Sequence, residues 1–161
     1  VNGAALNTYV LRRLAEQGLN LEADRVNELY DYITEGRDEL LAAFSLAAPI
    51  VVQSAPVALV QPDPVNTPNV WALPALAKDP FRVLTVREIS SGEAFGGSGS
   101  LNQDGGDFEW QTIRQLKLSD DTDVGDGIEV IYVPHAGDIV AGTLETAIGL
   151  PTTCHRAIGK F

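Results

Sequence analysis

One cysteine, Cys154, and two histidines, His135 and His155, are all that the 161 residues offer to thiol, imidazole or zinc chemistry. A lone cysteine closes no internal disulfide, and one cysteine with two scattered histidines has none of the paired spacing that zinc sites use. Basic residues are equally scarce. Eleven Lys and Arg stand against 22 Asp and Glu, a net charge of −11, which excludes binding nucleic acid by neutralising its phosphates but not DNA passing close by without sticking. Long apolar runs are missing too: "LLAAF" and "PIVV" fall far short of the roughly 20 residues needed to span a bilayer. No charged segment followed by an apolar one opens the sequence, so neither a membrane nor secretion is expected. What is present is a globular balance, 45% hydrophobic and 20% charged, at a length that suits one domain with a core of its own.

The first 48 residues carry helical periodicity. Leu6, Val10, Leu11 and Leu14 recur at three- and four-residue steps before Gly18 supplies a stop, and a second helix is predicted from near Asn20. Its stripe runs through Val26, Leu29, Tyr30, Ile33, Leu40, Leu41 and Phe44, with Gly36 a weak point and Arg37, Asp38 and Glu39 expected to face solvent. The two helices are expected to pack as a hairpin. After Pro49 the Val- and Pro-rich, nearly uncharged "PIVVQSAPVALVQPDPVNTPNVWALP" suits short edge strands and a long excursion. "FRVLTVREIS" predicts a strand buried on both faces, since both parities are apolar. "SGEAFGGSGSLNQDGGDFEW" reads as a flexible loop. "EWQTIRQLKLS" and "GIEVIYVPH" read as two strands of a hairpin joined through "DDTDVGDG". Pro151 with Thr152 or Thr153 opens a last helix. The expectation is a single α+β domain: a helical hairpin over 1–48, a β-rich insertion over 49–140 and a short C-terminal helix over 150–161.

Catalytic candidates are few. Side chains of Cys154 and His155, adjacent on a helix, diverge by about 100°, so they cannot serve each other as nucleophile and base. A dyad of Cys154 with His135, oriented by Asp138, is conceivable, but a small buried cysteine is the plainer reading. The acidic run fails the EF-hand pattern, which wants an oxygen ligand at position 5, Gly at 6 and Glu at 12. Counted from Asp121, those positions hold Gly125, Asp126 and Tyr132. A looser calcium site on Asp121, Asp123 and Asp126 competes with a solvated turn. "GGSGSLNQDGG" lacks the Gly-Lys-Ser/Thr ending of a phosphate loop. Trp71 and Trp110 could form a ligand platform, although aromatics beside strands more often anchor a core or an interface. No enzyme, cofactor or metal is therefore expected.

Three stretches, in order, carry a family resemblance. "TYVLRRLAEQGLNLEADRVNELYDYITEGRDELLAAF" resembles a short helix, a turn and a long helix of the type "I.EGQ.EL". "DPFRVLTVREI" is similar to a strand that follows a proline-rich crossing, and "GIEVIYVPHAGDI" with "GLPTTCHRAIGKF" resembles a closing strand, a loop and an "LP..CH.AI" helix start. The pattern is similar to that of the head-to-tail adaptor, or connector, proteins of tailed bacteriophages, and covers about half of the chain. The resemblance implies a virion structural protein, made in the host cytoplasm and located in the neck between capsid and tail. There a ring, usually of twelve copies, docks beneath the portal protein, meets stopper or tail proteins and lets viral DNA pass without specific binding. The family's C-terminal segment commonly reaches into the portal. This chain ends a few residues into that helix, so the portal-binding element either continues beyond it or differs.

On that reading Asp120, Asp121, Asp123 and Asp126 are candidates for an acidic channel wall that repels the DNA backbone. Ile158, Phe161 and Trp71 are candidates for subunit or portal contact. The alternatives are a stopper or tail-completion protein of the same neck, or a small acidic β-rich binding domain that uses calcium.

Overall fold

The computed structural model describes residues 2–19, 25, 27–101, 107–119 and 124–158, with the side chains of 97–101 and 156 left aside. Its elements are α+β, with helices leading and strands following. They sort into two units: residues 1–52 with 136–161, and residues 53–135.

In the first unit, α1 spans Gly3–Glu16, and the Asn2 side chain caps it by accepting from the Ala5 N–H. The expected stripe buries Leu6 and half-buries Val10, Leu11 and Leu14. The stop at Gly18 is also as expected. Its φ of 78° suits glycine, and the Gly18 and Leu19 amides donate back to the Ala15 and Leu14 carbonyls, a Schellman ending. Helix α2 spans Glu28–Ala47, so the described helix starts later than Asn20; residues 20–24 lie outside the description. Acidic Glu28 and Asp31 occupy its first turn, where the macrodipole favours them.

Arg37 corrects the sequence reading. It lies on the buried stripe between Ile33 and Leu41 and is 0% exposed. The reason is the returning chain, residues 136–150, an irregular segment whose carbonyls have no ladder to join. The Arg37 guanidinium donates to the carbonyls of Gly137 (3.0 Å), Ile148 (3.3 Å) and Ala136 (3.0 Å), and its Nε to Asp38 at 2.6 Å. Burying a cation without partners would cost several kcal/mol, so this arrangement stands only because four hydrogen bonds meet it. Further ties hold the same segment. The Ile139 amide donates to Thr34 Oγ1 at 3.0 Å on α2, and the Gly3 amide donates to the Thr143 carbonyl at 2.9 Å.

The chain then turns through a short 3-10 segment, Thr152–Cys154, into α3, His155–Ile158. Pro151 stands at the cap position, and neither threonine caps the turn with its side chain. Gly36 receives this end of the chain: a methyl at Gly36 would stand 2.9 Å from the Ile158 carbonyl oxygen. The expected weak point in α2 is thus the place where backbone approaches backbone.

The second unit has a three-stranded sheet and a four-stranded sheet. Strands β1 (Val57–Ala58), β2 (Val70–Ala72), β3 (Pro80–Glu88), β4 (Gly97–Leu101), β5 (Phe108–Thr112), β6 (Gln115–Leu118) and β7 (Ile128–Pro134) follow one another along the chain. The sheets run β1-β7-β3 and β2-β6-β5-β4; all pairs are antiparallel except β4 with β5. Both sheets feed one core, in which Val86, Trp110, Leu116, Ile128, Val130 and Tyr132 are buried.

Two expectations change here, those of the hairpin and of the loop; strand β3 is buried or half-buried on both parities, Arg82 apart, with Leu84 bulged. Val83 pairs with Tyr132 and Val86 with Val130, so residues three apart share a face. The stretch "EWQTIRQLKLS" is itself a hairpin, β5 to β6, turning at Ile113 and Arg114. Strand β6 does not pair with β7, because the two belong to different sheets. The stretch expected as a loop also contributes edge strand β4 at the level of the backbone.

Arg37→Ala should lower stability by ~3–5 kcal/mol, the cost of breaking a buried charge network, seen as an earlier loss of helical circular dichroism. A loss below about 1 kcal/mol, the worth of an exposed ion pair, would mean the carbonyl clamp does not hold the unit. Gly36→Ala should also lower the melting temperature, although alanine gains about 1 kcal/mol in an open helix. A rise would mean the Ile158 carbonyl yields without cost.

Candidate functional site

Within each unit, the described chemistry-bearing residues do not assemble into a reactive cluster. His155 is 0% exposed, and its Nε2 donates to the Leu150 carbonyl at 2.9 Å, which fixes the tautomer as a structural one. Cys154 is half-buried, and its Sγ stands 3.8 Å from Thr153 Oγ1. Asp138 is exposed in the returning segment, where its backbone carbonyl accepts from Thr143 Oγ1. His135 belongs to the second unit: its amide donates to the Asp79 carbonyl at 2.7 Å, and its ring lies 6.2 Å from that of Phe81. Among the described residues of its unit, no hydrogen bond joins Cys154 to a base.

Among the described residues, no group of three His, Cys, Asp or Glu is placed to hold a metal ion. Asp120, Asp121 and Asp123 lie outside the description; Asp126 is exposed in the crossing between β6 and β7. Phe161 also lies outside it. Ile158 is 3% exposed and packs within its own unit, where its carbonyl meets Gly36.

Trp71 and Trp110 form a row, not a platform. Both are paired in register with Leu116, one from β2 and the other from β5, so the three side chains share the core face of the four-stranded sheet. Trp110 is 3% exposed and Trp71 half-buried against the same core. Neither buried indole N–H meets an acceptor among the described residues. A cleft of about 400 Å³ opens beside β3, lined by Arg82, Leu84, Thr85, Ala94, Phe95 and Phe108. Among the described lining residues Arg82 is the ionisable one.

The Val- and Pro-rich excursion is held by its own bonds. Val60 and Ala72 exchange amide-to-carbonyl bonds of 2.9 and 2.7 Å across its base. Asp63 organises its tip: Oδ1 accepts from the Asn66 amide at 3.0 Å and Oδ2 from Asn66 Nδ2 at 2.8 Å. Arg114, in the tight β5–β6 turn, donates to the Pro74 and Ala77 carbonyls and pairs with Asp79, fixing the stretch that leads into β3. Sequence reading missed this residue because an Ile-Arg pair carries no turn signature. Near it, burial pushes the Tyr132 phenol up, partly offset by Arg114 and reinforced by Asp79.

No helix among the described residues is long and apolar enough to cross a membrane. Comparison with protein-family models, with curated proteins and with solved structures finds no match to this chain.

The two Asn66 bonds hold the Asp63 carboxyl below its ordinary value, the side-chain bond being the larger cause. A depressed carboxyl contributes stability above its unfolded value and loses it as pH falls through the folded one. In an NMR titration Asp63 should therefore titrate lower than an ordinary aspartate, and Asn66→Ala should move it up. A midpoint unmoved by that change would show that Asn66 does not hold the carboxylate.

Proposed function

We propose that this chain is a structural protein of the phage neck, a head-to-tail adaptor that forms a ring beneath the portal and surrounds the passing DNA. The observation that carries the reading is the meeting of the first and the last of its three resemblance-bearing stretches in the first unit. The "ITEGRDEL" turn of α2 supplies Gly36 and Arg37. Arg37 grips the carbonyls of Ala136 and Gly137 in "VPHAGDI" and of Ile148, next to "GLPTTCHRAI". Gly36 seats Ile158 of the last stretch. Segments far apart in sequence that resemble one family thus form one mutually supporting unit. A structural role also accords with histidine and cysteine side chains that serve packing.

The acidic composition suits a wall past which DNA slides, because like charge repels the phosphate backbone. Asp126, exposed in the crossing, is the described member of the acidic run assigned to the channel.

The test is to mix the chain with the portal ring of the same phage and image the product by electron microscopy. A further ring of density beneath the portal, with the acidic crossing on its inner wall, is the expected result. Failure to bind the portal, together with specific binding of a small ligand, would replace the proposal with a binding-domain function. Acidic crossings on the outside of a ring that forms would remove the channel-wall role alone.

A further inference from the structure

The first unit presents two outward stripes of opposite charge. On α2, Asp31, Tyr32, Glu35, Glu39, Ala43 and Leu46 are all exposed at three- and four-residue steps, one continuous stripe. Tyr32 is 64% and Leu46 70% exposed. Among the described residues Asp31, Glu35 and Glu39 enter no ion pair. On α1, Tyr9, Arg12, Arg13 and Glu16 line a shallow cleft. Both guanidinium groups pair with the same Glu16 carboxylate, Arg12 at 3.2 Å and Arg13 at 3.3 Å, which leaves that face net positive. Such exposed pairs are worth about 0–1 kcal/mol each, so the arginines can exchange partners at little cost.

We infer that these stripes are the two halves of a contact between copies of this chain, α2 of one copy lying against α1 of the next. Charge selects this pairing over a two-fold one. Placing the α2 stripe against itself would bring the carboxylates of Asp31, Glu35 and Glu39 together, and a chain of net charge −11 repels its copies everywhere that cations are not concentrated. A surface that complements a different surface of the same molecule joins copies head to tail, and head-to-tail contacts close into rings when the rotation per copy permits. Tyr9, Tyr32 and Leu46 supply the aromatic and apolar area that such contacts bury. The closure into a ring rests on the neck-adaptor reading, whereas the contact itself rests on the two stripes.

Disulfide trapping tests the contact. In a Cys154→Ser background, Thr8→Cys, one turn before Arg12, with Glu35→Cys in one chain should give a ladder of linked oligomers on oxidation, alone at high concentration or on the portal. The two single variants mixed should stop at dimers. In the Glu35→Cys chain, Asp31→Arg with Glu39→Arg should lower cross-linking to a Thr8→Cys partner by about tenfold, a change of ~1.4 kcal/mol. Arg13→Glu with Glu16→Lys on that partner should leave the effect in place, whereas Arg13→Glu alone should restore the yield. Circular dichroism should match that of the Cys154→Ser background throughout, since the positions changed on α1 and α2 are exposed. A Glu35→Cys chain that links to itself as readily as to the Thr8→Cys chain, or no ladder in either setting, overturns the inference. A missing ladder with a ring still added to the portal would leave the adaptor reading standing. A ladder without portal binding would sustain the contact and remove that reading.

Discussion

The buried guanidinium of Arg37 is the interaction on which the first unit depends. The segment 136–150 is irregular, and irregular backbone taken out of water needs partners for its carbonyls. Arg37 answers three of them from one rigid, planar group, and Asp38 balances its charge while remaining one-third exposed. A lysine could not do the same, because its three donors radiate from a point and lack the fork that spans separate carbonyls. Once the segment is held, Ile139, Ile148 and Leu150 enter the interior, His155 finds the Leu150 carbonyl and Ile158 reaches Gly36. Polar satisfaction and apolar packing there depend on the same segment.

The second unit is organised the other way round. Two sheets close on a shared apolar core, and polar groups act at its edges: Arg114 on the approach to β3, Asp63 at the tip of the excursion, Arg87 with Glu129 across β3 and β7. Most of its stability comes from burial, roughly 1.5–3 kcal/mol for each large side chain removed from water. The bulge at Leu84 is the device that lets Val83 and Val86 both serve that core. The result is an insertion held by contacts of its own, carried between the two sequence halves of the first unit.

Among the described residues neither unit gathers an acid, a base and a nucleophile in one place: Cys154 lies beside Thr153, His155 bonds the Leu150 carbonyl and the His135 ring lies near Phe81. What the surface does offer is charge. The exposed carboxylates of α2 and the paired arginines of α1 stand on a strongly acidic chain, and the proposed contact between copies rests on that complementarity.

Periodicity and local stereochemistry alone determined the class of this fold, because these signals lie within a few residues of one another. The α1 stripe and its Gly18 ending, the phase of α2 from Leu29 to Phe44, the strand character of 80–88 and the edge strands of the Pro-rich excursion were all legible in that way. Partners distant in sequence decided the rest. Arg37 looks like a solvent residue until the carbonyls about 100 positions away arrive, and Gly36 looks like a weakness until Ile158 does. The β5–β6 turn is silent because Ile113 and Arg114 carry no local signal, Arg114 being held through the distant carbonyls of Pro74 and Ala77. The pairing of β7 with β3 in place of β6 belongs to the same class, since a strand's sequence records that it will pair but not with which neighbour. Local free-energy preferences are written residue by residue, whereas the satisfaction of buried polar groups is a property of the assembled chain.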